Sequence, residues 1–148
     1  GHESTRGLIN PEFADHPILK GVEDVWGPTD VYGVGRLRGS PDILIEGQVL
    51  SGMDPSDAPK ADTPTMPIAW TRNYTGEEDK TSRVFCTTMG AAPDLKCADL
   101  RRLLLNAACW CRDEEIDGNN CVDTVGEFNP TYFGSGTHRK GLHPSDYE

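Results

Sequence analysis

The chain has 148 residues, a length that suits one domain or part of one. Its 14 Lys and Arg stand against 24 Asp and Glu, a net charge of −10 that repels a phosphate backbone and argues against nucleic acid as a partner. A hydrophobic fraction of 36%, with 16 Gly and 11 Pro, favours loops over long regular elements, and no apolar run approaches the roughly 20 residues of a membrane span, so no membrane partner is expected either.

Residues 1 to 42 are dense in Gly, Pro and Asp, with Ile18, Leu19, Val22, Val25 and Trp26 as scattered apolar positions. This composition predicts a connected loop region with one short helical turn. The opening GHESTRG lacks the apolar core of a signal peptide, and the compartment is not encoded. ILIEGQVL, at 43 to 50, is apolar and β-branched enough for a strand, with Gly47 marking a bulge or a close backbone approach. The Pro-rich stretch from 51 to 65 cannot pack a core and reads as an exposed excursion. MPIAWTR, at 66 to 72, and RVFCTTM, at 83 to 89, read as two strands joined by the polar link NYTGEEDKTS, side by side and antiparallel.

CADLRRLLLNAACWC repeats apolar residues at Leu100, Leu103, Leu104, Ala107, Ala108 and Cys111, the spacing of a helix with one buried face. Arg101, Arg102 and Asn106 fall on its other side, and Asp94 or Asp99 is placed to meet the free amides of its first turn. From 122 to 148 a Gly-rich tail follows, expected as an extended arm whose Phe128, Tyr132 and Phe133 pack on the body or on a neighbouring subunit. Five cysteines, an odd number at irregular spacing, read as reduced thiols. Cys109, Cys111 and Cys121 with His138 and His143 lack the paired spacing of zinc sites, so no metal and no cofactor are expected.

Taken in order, HPILKGVEDVWGPTDVYGV, the strand at 43, MPIAWTRNYTG, RVFCTTMGA, LRRLLLNAACW and the tail motif KGLHPSD resemble the second half of a ThuA-like domain, the trehalose-utilisation family. The resemblance runs from about residue 4 to 146. It implies an α/β fold, a flavodoxin-like sheet similar to that of class I glutamine amidotransferases, incomplete in this chain. Residues 1 to 121 would be the C-terminal part of that domain and 122 to 148 the tail. The missing half would be lost by truncation or cleavage, or supplied by a second chain, and a homo-oligomer is an equivalent way to cover the open sheet edge.

In open α/β sheets ligands gather beyond the carboxyl ends of strands, which points first to Trp70, Thr71 and Arg72 and then to Thr87, Thr88 and Met89. His16 and Asp30 match positions where the family carries polar residues, and Asn73 adjoins Arg72. The candidate ligand-binding set is therefore His16, Asp30, Trp70, Arg72 and Asn73. Two readings stay open for His16, a loop residue bonding to backbone or a ligand contact. Arg72 can grip a ligand carboxylate or hydroxyls with paired hydrogen bonds, or pair with Asp30 as structure. Trp70 reads more readily as core than as a stacking platform. Many family members carry a histidine where Ala91 stands, and no nucleophile elbow of the G-x-S-x-G kind is present, so amidotransferase activity is not supported and no catalytic residue is assigned. The resemblance implies a domain of carbohydrate utilisation acting on trehalose or a keto-sugar; the alternative is a non-catalytic sugar-binding or assembly module.

Overall fold

The computed structural model describes residues 3–130 and 140–147. Its strands are β1 (Thr5–Ile9), β2 (Trp26–Gly27), β3 (Asp42–Val49), β4 (Met66–Thr75) and β5 (Thr81–Thr87), and its one long helix is α1 (Ala98–Cys111). The strands form one curled sheet in the order β2-β1-β3-β4-β5, and every neighbouring pair is antiparallel. This overturns the expected flavodoxin-like α/β sheet. A parallel pair needs a crossover of a dozen or more residues, usually helical. Here β4 reaches β5 through residues 76–80, and the longer 50–65 connection folds back through a Leu50–Pro59 bridge without forming a helix.

Residues 1 to 42 hold more order than their composition suggests. β1 inserts between β2 and β3, pairing Thr5 with both Gly27 and Val49. Short 3-10 turns occupy Pro11–Phe13 and Pro17–Leu19, each begun by a proline at the first helical position, where the missing N–H costs nothing. β4 runs on to Thr75 and β5 starts at Thr81, so the link between them is shorter than its polar sequence implies. Register slips on either side of Ile45, and Gly47 sits beyond this irregularity. At Gly47 it is the close approach that matters: a Cβ there would lie 2.4 Å from Cγ2 of Ile68.

The core lies between the sheet, α1 and the turn at Pro17–Leu19, built from Ile18, Leu19, Val22, Val25, Leu44, Ile45, Ile68, Ala69, Met89, Leu100, Leu103 and Ala107. On α1 the buried face is Leu100, Leu103, Asn106 and Ala107, whereas Ala108 and Cys111, expected inside, are exposed. Asn106 belongs inside because its Nδ2 donates to the carbonyls of Ile18 and Lys20, both at 2.9 Å. Arg101 and Arg102 are not idle surface charges; they donate to the carbonyls of Val122, Leu95, Gly118 and Asn120 and tie the following loop to the helix. Neither Asp94 nor Asp99 caps α1, whose N-terminal residue Cys97 makes no side-chain capping bond. Asp99 instead accepts from the amides of Glu23 and Asp24, drawing the segment before β2 onto the helix.

Among the described residues no helix is long and apolar enough to cross a membrane. The five cysteines are unpaired, and no cluster of three metal-ligating side chains occurs among the described residues. Tyr132, Phe133 and His138 lie outside those residues, while Phe128 is exposed.

Candidate functional site

His16 sits where the chain enters the Pro17–Leu19 turn. With extended backbone (φ −64°, ψ 134°) it acts as the N-cap, its Nδ1 accepting from the Ile18 amide at 3.2 Å. That bond uses the lone pair of Nδ1, so the neutral ring carries its proton on Nε2. Its pKa lies below the usual histidine value, chiefly because burial disfavours the cation; Arg83 adds to this and Asp42 opposes it. The imidazole leans on the indole of Trp110, with ring centroids 5.3 Å apart and planes at 55°.

Trp110 is the pivot of the site. It lies one turn beyond Ala107 on the buried stripe of α1, where the helix has run past the packed core and leaves the indole half-buried. Arg83 of β5 places its guanidinium 5.2 Å from the indole centroid, donates to the Trp110 carbonyl at 2.8 Å and pairs with Asp113 at 2.8 Å. Beside this stack opens a cleft of about 600 Å³, lined by His16, Lys20, Arg83, Trp110, Asp113 and Glu114 together with Ala14, Asp15, Pro17 and Ile116. A second hollow of about 320 Å³ shares Trp110 and is lined by Gly39, Ser40, Asp42, Thr71, Arg72 and Asn73. Trp110 therefore borders both depressions, which flank it as a two-part trough. Thr71 is 1% exposed and its Oγ1 has no hydrogen-bond partner among the described residues.

Three of the five residues singled out from sequence border this trough: His16 on one side of Trp110, Arg72 and Asn73 on the other. Arg72 does not pair with Asp30; its guanidinium lies 5.6 Å from the Tyr74 ring centroid and beneath Gly39. Trp70 is half-buried on β4 opposite Ile43 and Cys86, and Asp30 is exposed in the 28–41 loop; neither lines these hollows. The TTMG segment is used for structure. Asp94, 1% exposed, accepts the Thr29 hydroxyl at 2.9 Å on both oxygens and the amides of Gly90 and Ala91 at 3.0 and 3.1 Å. The space around it is filled, since a Cβ on Gly27 would lie 2.5 Å from Oδ1 of Asp94.

Arg83 and Trp110 were not singled out from sequence. A tryptophan continuing the buried stripe into the last helical turn was the available signal for one of them. Arg83 gave none, because its role depends on β5 lying beside the end of α1. The site mixes an aromatic wall, guanidinium donors, a neutral imidazole and carboxylate acceptors, a set suited to binding a polar, hydroxyl-bearing molecule. No family model, curated protein or solved structure gives a match to this chain.

Proposed function

We propose that the chain is a carbohydrate-binding domain, and that the trough on either side of Trp110 is its ligand site. The observation that carries this reading is the placing of His16 on one side of Trp110 and of Arg72 and Asn73 on the other, in two hollows that share this residue. Sugars offer donors and acceptors around an apolar ring face. Arg72 and Asn73 donate hydrogen bonds to such hydroxyls, while Asp42 and Asp113 accept them. The partly exposed indole supplies apolar contact. The role proposed is binding, with no catalytic residue assigned.

Trehalose is the first ligand to test. In a titration followed by amide and indole NMR signals, it is expected to produce saturable shifts centred on Trp110, with a dissociation constant on the order of 1 mM, corresponding to about −4.1 kcal/mol. Arg72→Ala is expected to abolish those shifts with the melting temperature unchanged, because the Arg72 guanidinium carries no ion pair among the described residues. Shifts that stay linear with concentration, or an unaltered titration of Arg72→Ala, would sink the reading.

A further inference from the structure

We infer that the trough takes a phosphate-bearing carbohydrate, its phosphate held at Arg36, Arg38 and Arg72 and its sugar body extending past Trp110 towards His16. This rests on the carbohydrate reading above and narrows it to an anionic class of ligand.

Arg6, Arg83 and Arg112 each pair with a carboxylate, and Arg101 and Arg102 donate to backbone carbonyls. Arg36, Arg38 and Arg72 have neither kind of partner among the described residues, although the chain carries 24 acidic side chains and a net charge of −10. Arg36 and Arg38 stand on the loop that Arg72 reaches. Arg36 and Arg38 line an open hollow with Gly39 and Ser40, and the same Gly39 and Ser40 border the hollow of Arg72 and Trp110. A Cβ on Gly39 would lie 3.4 Å from Nη1 of Arg72, so that guanidinium reaches the loop bearing the other two. Guanidinium groups match phosphate oxygens with parallel hydrogen bonds, and acidic residues farther off than about 8 Å are screened at physiological salt.

Thr71 is a further polar residue in the wall of the same hollow, and its buried Oγ1 has no partner among the described residues. Asp42 sets the direction of the ligand. It lines the Arg72 hollow opposite Thr71 in the sheet register, so a phosphate is repelled from that wall and pushed towards Arg36 and Arg38. Sugar hydroxyls, which can donate to a carboxylate, suit the Asp42 side.

Calorimetric titration of the full chain with trehalose, trehalose 6-phosphate and inorganic phosphate tests this. The ester is expected to bind about 5- to 10-fold more tightly than trehalose, with an advantage that shrinks as salt is raised. In an Arg36→Ala/Arg38→Ala double variant the ratio of the two affinities should fall to about one. Equal affinity for the two sugars in the unaltered protein, or an ester advantage that survives in the double variant, overturns the proposal while leaving carbohydrate binding intact. Binding of inorganic phosphate with no binding of either sugar overturns both.

Discussion

At the scale of single residues, His16, Lys20 and Arg83 beside Trp110 are each held by a hydrogen bond, whereas Thr71 is not. Thr71 is buried with an unpaired hydroxyl, which costs on the order of 1–3 kcal/mol when nothing satisfies it. Thr71→Val is therefore expected to raise the unfolding free energy of the protein by about 1 kcal/mol in urea denaturation. A destabilised variant would mean that the hydroxyl already has a partner. His16 supports a pH prediction. Its folded pKa is depressed by burial, so across the interval from that lowered value up to about 6.5 the unfolded chain binds more protons than the folded one. Stability therefore rises with pH through this window and is lost on acidification. His16→Asn keeps an N-cap but removes the titration. Between pH 7.5 and pH 5.5 the melting temperature of the variant should fall less than that of the parent, and parallel losses in the two proteins would refute this assignment.

At the scale of elements, the site depends on how α1 grips the turn that carries His16. Asn106 makes two hydrogen bonds across 88 and 86 residues of sequence, to Ile18 and Lys20, and thereby fixes the Pro17–Leu19 turn against the helix. Asn106→Ala leaves two carbonyls unpaired in or beside the core and is expected to cost about 2–3 kcal/mol of stability by urea denaturation. In the same variant the His16 imidazole signal should shift as the turn loosens. A cost below about 0.5 kcal/mol would show that the turn is held by apolar contacts alone. Asp94 does the same work at the other end of the helix, joining the turn after β5 to Thr29. Periodicity made α1 readable, because Leu100, Leu103 and Ala107 recur at helical spacing. It misplaced Asn106, since amphipathic patterning assigns polar residues to solvent and cannot foresee a buried amide serving two remote carbonyls. β1 was hidden for a related reason: TRGLI is short, contains a glycine and lies in a Gly- and Pro-rich region, and becomes a strand by pairing with β2 and β3.

At the scale of the whole molecule, local signals and global arrangement separate cleanly. Composition and patterning by themselves determined that β3, β4 and β5 are strands, that β4 and β5 pair antiparallel across a short link, and that one amphipathic helix follows. His16 and Asp30 were marked by the family resemblance, and Trp70, Arg72 and Asn73 by a rule for open α/β sheets that this antiparallel sheet does not follow; of the five, His16, Arg72 and Asn73 border the hollows beside Trp110. The tertiary structure decided the rest. The order β2-β1-β3-β4-β5, in place of a parallel flavodoxin-like sheet, arises from pairing between segments tens of residues apart, which no window of sequence contains. The trough likewise exists only because β5 carries Arg83 to the end of α1, the turn at Pro17–Leu19 brings His16 against Trp110, and the 36–41 loop meets Arg72. Side-chain chemistry and local propensity are written along the chain, whereas the convergence of remote groups depends on burial and strand pairing, which act on the folded chain as a whole.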